Sequence, residues 1–150
     1  MSDATASLDP HAAGCMTGLN HIGIAVHDVD KVLPFYCDTL GARFVLRKTL
    51  EDRGLDVCFV AIGATQLELM APTRPGTAIE KFLATRGQGV HHLAFDVPDV
   101  QSGLDRLRDC GIRLIDTAPR PGFHGEVAFA HPASTEGVLF ELCGVPPSER

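Results

Sequence analysis

The sequence contains no apolar run that approaches the roughly 20 residues needed to span a bilayer. Its first eighteen residues contain no Arg or Lys and no apolar stretch, which argues against a signal peptide or a transit peptide in this segment. We therefore expect residues 1–18 to form a flexible tail, and we expect a cytoplasmic protein without a membrane partner.

The cysteines lack the spacing of a disulfide framework. There are five of them, an odd number, with no CxxC pair. Most lie in apolar or helix-pattern surroundings, where a free cysteine behaves as a small buried hydrophobe. We therefore expect reduced thiols in a cytosol. The five are Cys15, Cys37, Cys58, Cys110 and Cys143.

Positive charge is scarce. The 13 Lys and Arg against 19 Asp and Glu leave a net charge of −6 at pH 7, which argues against a general nucleic-acid binder. An anionic small molecule remains a possible substrate, because a local cluster of basic residues can override the global sign. The 45% hydrophobic content of the 150 residues is enough for one compact domain, or for two small halves that share a core.

The chain contains an internal repeat. The segments "HIGIAVHDV" at 21–29 and "HLAFDVPDV" at 92–100 carry His, Val, Asp and Val at the same places, at an offset of 71 residues. Each segment alternates like a short strand over its first five or six residues. The repeat predicts two similar halves.

A helical pattern follows each of these strands. In the first half, apolar residues recur three or four positions apart after Asp28 or Asp30, and Gly41 stands where a helix should end. Pro34 is tolerated if Asp30 is the N-cap, because the proline then lies in the first turn. The segment 99–111 repeats this pattern, from an N-cap aspartate to a terminal glycine.

Three strand-like runs then complete each half. They lie near 43–50, 55–62 and 66–70 in the first half, and near 112–116, 125–130 and 138–143 in the second. Each half is too small to bury its own sheet face. We predict an α+β fold in which two tandem βαβββ modules pair into one curved mixed sheet with a shared concavity.

A short helix is expected between the two halves. Thr77 and Glu80 have the spacing of a capping box, and the helix should end near Gly87. We therefore divide residues 19–145 into module one at 19–72, a connecting helix at 73–88 and module two at 89–145.

Strand alternation separates two adjacent histidines. Successive side chains on a strand point to opposite faces, so His91 and His92 cannot serve one site on one face. His92 matches His21 across the repeat, and both share a face with small residues that leave room beside the rings. We expect His21 and His92 to face the concavity, and His91 to pack or hydrogen-bond behind the sheet.

The last strand of each half carries one glutamate. Glu68 in "QLELM" and Glu141 in "VLFELC" each point away from their two large apolar neighbours. One such residue alone would more often be structural, but the repeat would require the same coincidence twice. Two neutral imidazoles and two carboxylates that converge suit a divalent transition metal with positions left for water or substrate.

Four segments of the chain resemble the vicinal oxygen chelate superfamily of glyoxalases, bleomycin resistance proteins and dioxygenases, and within it the methylmalonyl-CoA epimerases. They are "LNHIGIAV", "LELMAP", "IEKFLATRGQGVHHLAFDV" and "AFAHPASTEGVLFELC". The resemblance implies paired βαβββ modules around a metal site, and often a homodimer. It also implies metal ligands at His21, Glu68, His92 and Glu141, although the family often has Gln at the place of Glu68.

The implied reaction interconverts (2R)- and (2S)-methylmalonyl-CoA by abstraction of the proton alpha to the thioester, through a metal-stabilised enolate. One group removes the proton from one face and another returns it on the other face. Glu141 is the candidate for one of these roles, because its carboxylate can shift between the metal and the proton. The second is open: Val57 stands where many relatives have Glu, Asp56 should face the other way unless the strand is bulged, and Glu68 is a conceivable substitute.

The implied cofactor is a divalent metal, cobalt in the first place, with manganese, zinc or nickel as alternatives. The implied partner is an acyl-CoA substrate, and no nucleic acid is expected. Six basic residues are candidates for contacts with the CoA phosphates, and each is equally plausible as solvated surface. They are Arg47, Lys48, Arg53, Arg74, Lys81 and Arg120.

Three alternatives use the same scaffold. A glyoxalase-I-type lyase would use the same four ligands on a glutathione hemithioacetal, but segments 79–97 and 129–143 favour the epimerase. A metal-free small-molecule-binding protein does not need four convergent ligands. An extradiol dioxygenase would use only two His and one Glu, usually on a longer chain.

Overall fold

The structure, a computed structural model, describes residues 16–145, so the predicted tail lies almost entirely outside the described residues. The elements are β1 (Gly18–Ala25), α1 (Val29–Pro34), β2 (Arg43–Leu50), β3 (Leu55–Ile62), β4 (Thr65–Pro72), α2 (Ala78–Arg86), β5 (Gly89–Val97), α3 (Val100–Asp109), β6 (Arg120–Pro121), β7 (Glu126–Ala130) and β8 (Phe140–Gly144). The order β-α-β-β-β thus occurs twice, with α2 between, and confirms the predicted α+β fold. No helix among the described residues is long and apolar enough to cross a membrane.

The chain divides into two compact units. We call residues 19–94 the N-terminal unit, and residues 95–145 together with 16–18 the C-terminal unit. The strand order is β2-β3-β4-β1-β5 in the N-terminal unit and β5-β8-β7-β6 in the C-terminal unit, since the boundary falls within β5. The sheet is mixed, because β1 and β4 are parallel whereas the β2–β3, β3–β4, β6–β7 and β7–β8 pairs are antiparallel.

In the N-terminal unit, α1 covers one face of the sheet. Alternate residues of β3 and β4 pack with the first residue of α1 in a buried cluster. Its buried members are Val26, Val29, Ala42, Cys58, Val60, Leu69 and Ala71. The large apolar face of the strands therefore lies under the helix, as the alternation predicts.

The start of α1 resolves the choice between two caps. Asp28 is the N-cap, and its Oδ1 accepts a hydrogen bond from the backbone N–H of Asp30 at 2.9 Å. Pro34 is thus the last residue of α1 rather than a first-turn residue, and a π-helical turn at Phe35–Thr39 follows it directly. Proline donates no backbone hydrogen bond, so the regular helix ends there. Gly41, with φ 74°, then turns the chain towards β2.

The other two helices begin and end as expected. The carboxylate of Asp99 accepts from the backbone N–H of Ser102 at 2.8 Å and caps α3. The hydroxyl of Thr77 accepts from the backbone N–H of Glu80 at 3.1 Å and caps α2. Gly87 follows α2 with φ 73°. In the C-terminal unit, α3 packs on the face of the sheet that carries Val97, Ala128 and Leu142.

Five of the six predicted strand runs are present, with ends that differ from the prediction by at most two residues. The predicted strand at 112–116 is wrong: only Leu114 forms an isolated bridge, to Ala130. The carboxylate of Asp116 accepts the backbone N–H of Phe129 at 2.8 Å, which a regular ladder would pair with a carbonyl. The two-residue strand β6 takes the edge position instead.

Candidate metal centre

The pairing of β1 with β4 brings His21 and Glu68 to one face of the N-terminal unit. Gly23 lies opposite Glu68 in the parallel register. Because residues two apart on a strand share a face, His21 points to the same side as Glu68. Ile24 and Leu69 point to the other side, into the cluster under α1.

Three side chains converge on this face, and all three are buried. The Nε2 atoms of His21 and His92 lie 3.1 Å apart. The Oε2 atom of Glu68 lies 3.2 Å from His21 Nε2 and 3.4 Å from His92 Nε2. The exposed fractions of these residues are only 6%, 9% and 3% for His21, Glu68 and His92. The sequence-based assignment of these three residues to one place therefore agrees with the geometry.

These three donor atoms fit the ligand set of a divalent metal. An ion bound at about 2.0–2.2 Å holds its ligand atoms about 2.8–3.1 Å apart at a right angle, and about 3.3–3.6 Å apart at the tetrahedral angle. The separations of 3.1, 3.2 and 3.4 Å span these two cases. Imidazole nitrogen with carboxylate oxygen is also a chemical set that transition metals accept.

Glu68 is ionised in this setting. Burial alone would raise the pKa of Glu68. Hydrogen bonds with His21 and His92 outweigh this effect and lower the pKa to about 2. The buried carboxylate therefore keeps its negative charge at neutral pH. A buried charge needs a partner, and a cation between the three donor atoms would provide one.

Gly23 makes room for the ring of His92. A Cβ atom at position 23 would lie 2.1 Å from Cε1 and 2.3 Å from Nδ1 of His92, and both distances are shorter than any real contact of a Cβ atom. Only glycine therefore allows β1 and β5 to carry the imidazole in this position. The small residues beside the histidines in the sequence predict space on this face. At Gly23, the ring of His92 occupies that space.

His91 contacts His92 directly. Its Nδ1 lies 2.9 Å from Nδ1 of His92, and its ring meets the edge of Phe82 on α2 at a centroid distance of 5.0 Å. His92 thus points Nε2 towards the donor cluster and Nδ1 towards His91. Strand alternation does not predict this direct contact between the two adjacent histidines.

Phe59 is a site residue that the sequence reasoning missed. It lies opposite Glu68 in the β3–β4 register, and its ring meets His21 edge-on at 5.6 Å. The alternation of "VCFVA" at 57–61 would have placed it on the Glu68 face once the hairpin register was known. The register depends on pairing between strands, which the sequence pattern does not give.

Glu141 has the same local setting in the C-terminal unit as Glu68 in the N-terminal unit. It is 7% exposed on β8 and lies opposite Phe129 of β7. Its neighbour Leu142 packs under α3, so the Glu141 side chain points to the face away from this helix. The Glu–Phe pair is thus another element of the internal repeat.

Neither alternative on β3 offers a second carboxylate to the site. Val57 is 1% exposed and shares the Glu68 face, since it lies opposite Met70 in an unbroken β3–β4 register. Asp56 lies on the opposite face, where it accepts two hydrogen bonds from Arg47 at 3.0 and 2.6 Å. The strand has no bulge against β4 that would turn Asp56 around.

Several known proteins of similar sequence and structure are methylmalonyl-CoA epimerases. The ethylmalonyl-CoA/methylmalonyl-CoA epimerase of Cereibacter sphaeroides is 36% identical over 127 residues, which cover 83% of this chain and 95% of that protein. The crystal structure of methylmalonyl-CoA epimerase from Mycobacterium tuberculosis is 36% identical, with a TM-score of 0.83 over 91% of this chain and 93% of that one. A Streptomyces coelicolor methylmalonyl-CoA epimerase variant in complex with 2-nitronate-propionyl-CoA is 37% identical, with a TM-score of 0.84 over 91% and 99% of the two chains.

The family assignment covers most of the chain. Residues 20–129 match the glyoxalase/bleomycin resistance protein/dioxygenase superfamily, and this range includes His21, Glu68 and His92. Together with the repeated β-α-β-β-β order, this match shows that the chain belongs to the glyoxalase/bleomycin resistance protein/dioxygenase superfamily.

Proposed function

We propose that the protein is a metal-dependent epimerase that interconverts (2R)- and (2S)-methylmalonyl-CoA. The observation that carries this proposal is the buried cluster of His21, Glu68 and His92, whose nitrogen and oxygen atoms lie 3.1–3.4 Å apart. The similar epimerases of known structure support the substrate class.

The proposed ligands of the metal are His21, Glu68, His92 and Glu141. Glu141 joins the other three in the proposal because it is buried and has the same strand setting as Glu68. His21, His92 and Glu141 carry ligand atoms of the types that bind divalent metals. When bound, the ion would supply positive charge that stabilises the enolate oxygen. Cobalt is the first candidate, and manganese, zinc and nickel are the others.

Glu141 is the proposed acid/base. Its carboxylate would accept the proton alpha to the thioester, so that the C–H bond breaks and its electron pair moves into the thioester carbonyl as an enolate. Return of a proton from solvent water to the opposite face of the same carbon gives the other epimer.

Glu68 is poorly suited to the second acid/base role. A group with a pKa of about 2 is a weak proton acceptor at neutral pH, because efficient general bases have pKa values near the working pH. We therefore assign Glu68 to holding the metal and not to proton transfer. Val57 carries no transferable proton.

The decisive experiment is proton exchange at the alpha carbon. The protein is loaded with cobalt, manganese, zinc or nickel and incubated with (2S)- or (2R)-methylmalonyl-CoA in D₂O. We expect deuterium at the alpha carbon and interconversion of the epimers, followed by NMR and chiral analysis. Absence of exchange with all four metals would overturn the proposal, and turnover of methylglyoxal with glutathione would favour the lyase.

A homodimer and a cytoplasmic location complete the proposal. Analytical ultracentrifugation of the metal-loaded protein tests the first, and fractionation of the source cells tests the second. A single sedimenting species at the monomer mass of 16.0 kDa would contradict the dimer.

A further inference from the structure

The two units carry a basic residue at the same place in their strand ladders. In the N-terminal unit, Lys48 on β2 lies opposite Val57 on β3. In the C-terminal unit, Arg120 on β6 lies opposite Val127 on β7. The two valines each precede by two residues the phenylalanine that lies opposite the glutamate of that unit.

Lys48 lies on the glutamate face of its unit. Val57 is opposite Lys48 on one side and opposite Met70 on the other, and Met70 is two residues after Glu68. Residues that are opposite each other, or two apart on one strand, share a face of the sheet. Lys48 therefore points to the face of Glu68, and α1 covers the other face.

Arg120 lies on the glutamate face of the C-terminal unit by the same reasoning. Val127 is opposite Arg120 and opposite Cys143, which is two residues after Glu141. Here too the helix, α3, packs on the other face.

The packing around Arg120 holds its guanidinium in place. Its Nε donates to Oδ1 of Asp116 at 3.1 Å, and its Cζ lies 5.3 Å from the ring centre of Phe129. Within residues 16–145 its two terminal NH₂ groups make no hydrogen bond, and the ammonium of Lys48 has no ion-pair partner. Both cations therefore have donors to offer to a ligand.

Two of the other basic candidates are occupied by the protein itself. Arg47 pairs with Asp30 and Asp56 on the face covered by α1. Arg74 donates to the backbone carbonyls of Glu51 at 2.7 Å and Asp52 at 3.0 Å, in the turn between β2 and β3. Their guanidinium groups already bind groups of the protein, so we do not assign them to a ligand.

We infer that Lys48 and Arg120 bind anionic oxygen groups of the acyl-CoA substrate, an inference that rests on the proposed function. A protein of net charge −6 needs local cations to hold such a substrate, and these two occupy matching places on the faces that carry the glutamates. The ligand is a carboxylate or a phosphate, because both groups accept hydrogen bonds from ammonium and guanidinium donors. The acyl group carries the first and the CoA nucleotide carries the second.

The test compares Lys48→Met and Arg120→Met with matched controls on the opposite faces. Lys31→Met on α1 and Arg106→Met on α3 remove the same charges from exposed positions of the helices. With cobalt-loaded protein and methylmalonyl-CoA, we expect KM to rise about tenfold or more in each test variant, the size of a lost charge-assisted hydrogen bond. We expect kcat to change less than about threefold, because the anchor binds substrate and transition state alike.

A truncated substrate identifies the anion. Methylmalonyl-pantetheine keeps the carboxylate but lacks the nucleotide phosphates. An effect of Lys48→Met or Arg120→Met that persists with this substrate assigns that residue to the carboxylate, and an effect that disappears assigns it to the phosphates. Both results support the inference.

Two further variants separate the charge from the fold. Lys48→Arg and Arg120→Lys keep the cation and should recover at least half of the lost affinity on a logarithmic scale. If both Met variants match Lys31→Met and Arg106→Met in KM with both substrates, the inference is overturned although the enzyme is active. If the wild type itself shows no epimerisation, the proposed function fails instead.

Discussion

The N-terminal and C-terminal units repeat the same element order but build their ladders differently. In the N-terminal unit, β2, β3 and β4 each contain eight residues and pair along nearly their whole length. In the C-terminal unit, β6, β7 and β8 contain two, five and five residues. Some features persist despite this difference, namely a glutamate opposite a phenylalanine and a cation opposite a valine. Features that persist while the ladder around them changes are the ones to test for function.

Glu68 has two imidazole neighbours within its own unit. Glu68 lies within 3.2–3.4 Å of two imidazoles, and its pKa is lowered to about 2. His92, the second of these imidazoles, comes from β5 and belongs to the N-terminal unit with His21. The N-terminal unit thus holds a three-donor cluster of its own. Under the proposed function, Glu68 only holds the metal, whereas Glu141 also transfers the proton.

The largest expected effect is the loss of the cluster itself. His92→Ala removes one of the three donor atoms that lie within 3.4 Å of each other, and we expect no measurable binding of cobalt and no epimerisation. Isothermal titration with CoCl₂ and inductively coupled plasma analysis of the dialysed protein measure this. His131→Ala is the control, because His131 caps the turn at Pro132–Ser134 and should leave metal binding unchanged. Retention of stoichiometric cobalt by His92→Ala would contradict the assignment.

The next largest effect separates the two glutamates. Glu141→Gln should lower kcat by about 10²–10⁴, the usual contribution of a positioned acid/base. Glu68→Gln keeps an oxygen donor to the metal, so we expect kcat to fall less than about tenfold. Steady-state kinetics on both cobalt-loaded variants test the comparison. Equal losses of kcat in the two variants would contradict the assignment of proton transfer to Glu141 and not to Glu68.

Gly23→Ala should displace the ring of His92 and so weaken the metal site. The new Cβ would overlap the ring of His92, and overpacking of this kind costs about 1–3 kcal/mol of the free energy of unfolding. We also expect weaker cobalt binding, since the ring must move. Gly89→Ala on β5 is the control, because a Cβ there would meet no atom within 4 Å. Urea unfolding and cobalt titration measure both quantities, and equal behaviour of the two variants would contradict the contact.

These comparisons show how far the sequence alone leads. Strand alternation is a local property, so the sequence alone predicts that His21, Glu68 and His92 point to the same face. The contact of Phe59 with His21 depends on the register between two strands, and the sequence carries no local signal for it. The strand predicted at 112–116 is absent because the Asp116 carboxylate accepts the backbone N–H of Phe129 on β7, which a neighbouring strand would otherwise pair with a carbonyl. Side-chain competition with the ladder is invisible to hydrophobic periodicity.

In the metal-free protein, acid should lower the free energy of unfolding of the wild type more than that of Glu68→Gln. The pKa of Glu68 in the folded state is about 2 against an ordinary value of 4.5, so the ionised carboxylate stabilises the fold fully above about pH 4.5. This stabilisation is lost as the pH falls through 2. We expect the free energy of unfolding of the wild type to fall by about 2–3 kcal/mol more than that of Glu68→Gln between pH 4.5 and pH 2. Parallel pH profiles in urea unfolding would contradict the coupling of Glu68 to His21 and His92.

The smallest effect is expected from the neighbour of a ligand. His91→Ala leaves Nε2 of His92 in the cluster but removes the ring whose Nδ1 lies 2.9 Å from His92 Nδ1. Hydrogen-bond partners of metal-ligating histidines fix the ring and its tautomer, and their loss typically costs about tenfold or more in metal affinity. We expect cobalt to bind His91→Ala about tenfold more weakly than the wild type, with unchanged stoichiometry.

A second substitution tells the hydrogen bond from the packing. His91→Phe keeps an aromatic ring against Phe82 but has no nitrogen for His92, so it should bind cobalt as weakly as His91→Ala. His91→Asn can still offer a polar atom and should recover part of the affinity. If His91→Phe binds cobalt like the wild type, the neighbour acts through packing against α2 alone. If His91→Ala loses cobalt as completely as His92→Ala, the separation of the two rings by strand alternation is wrong.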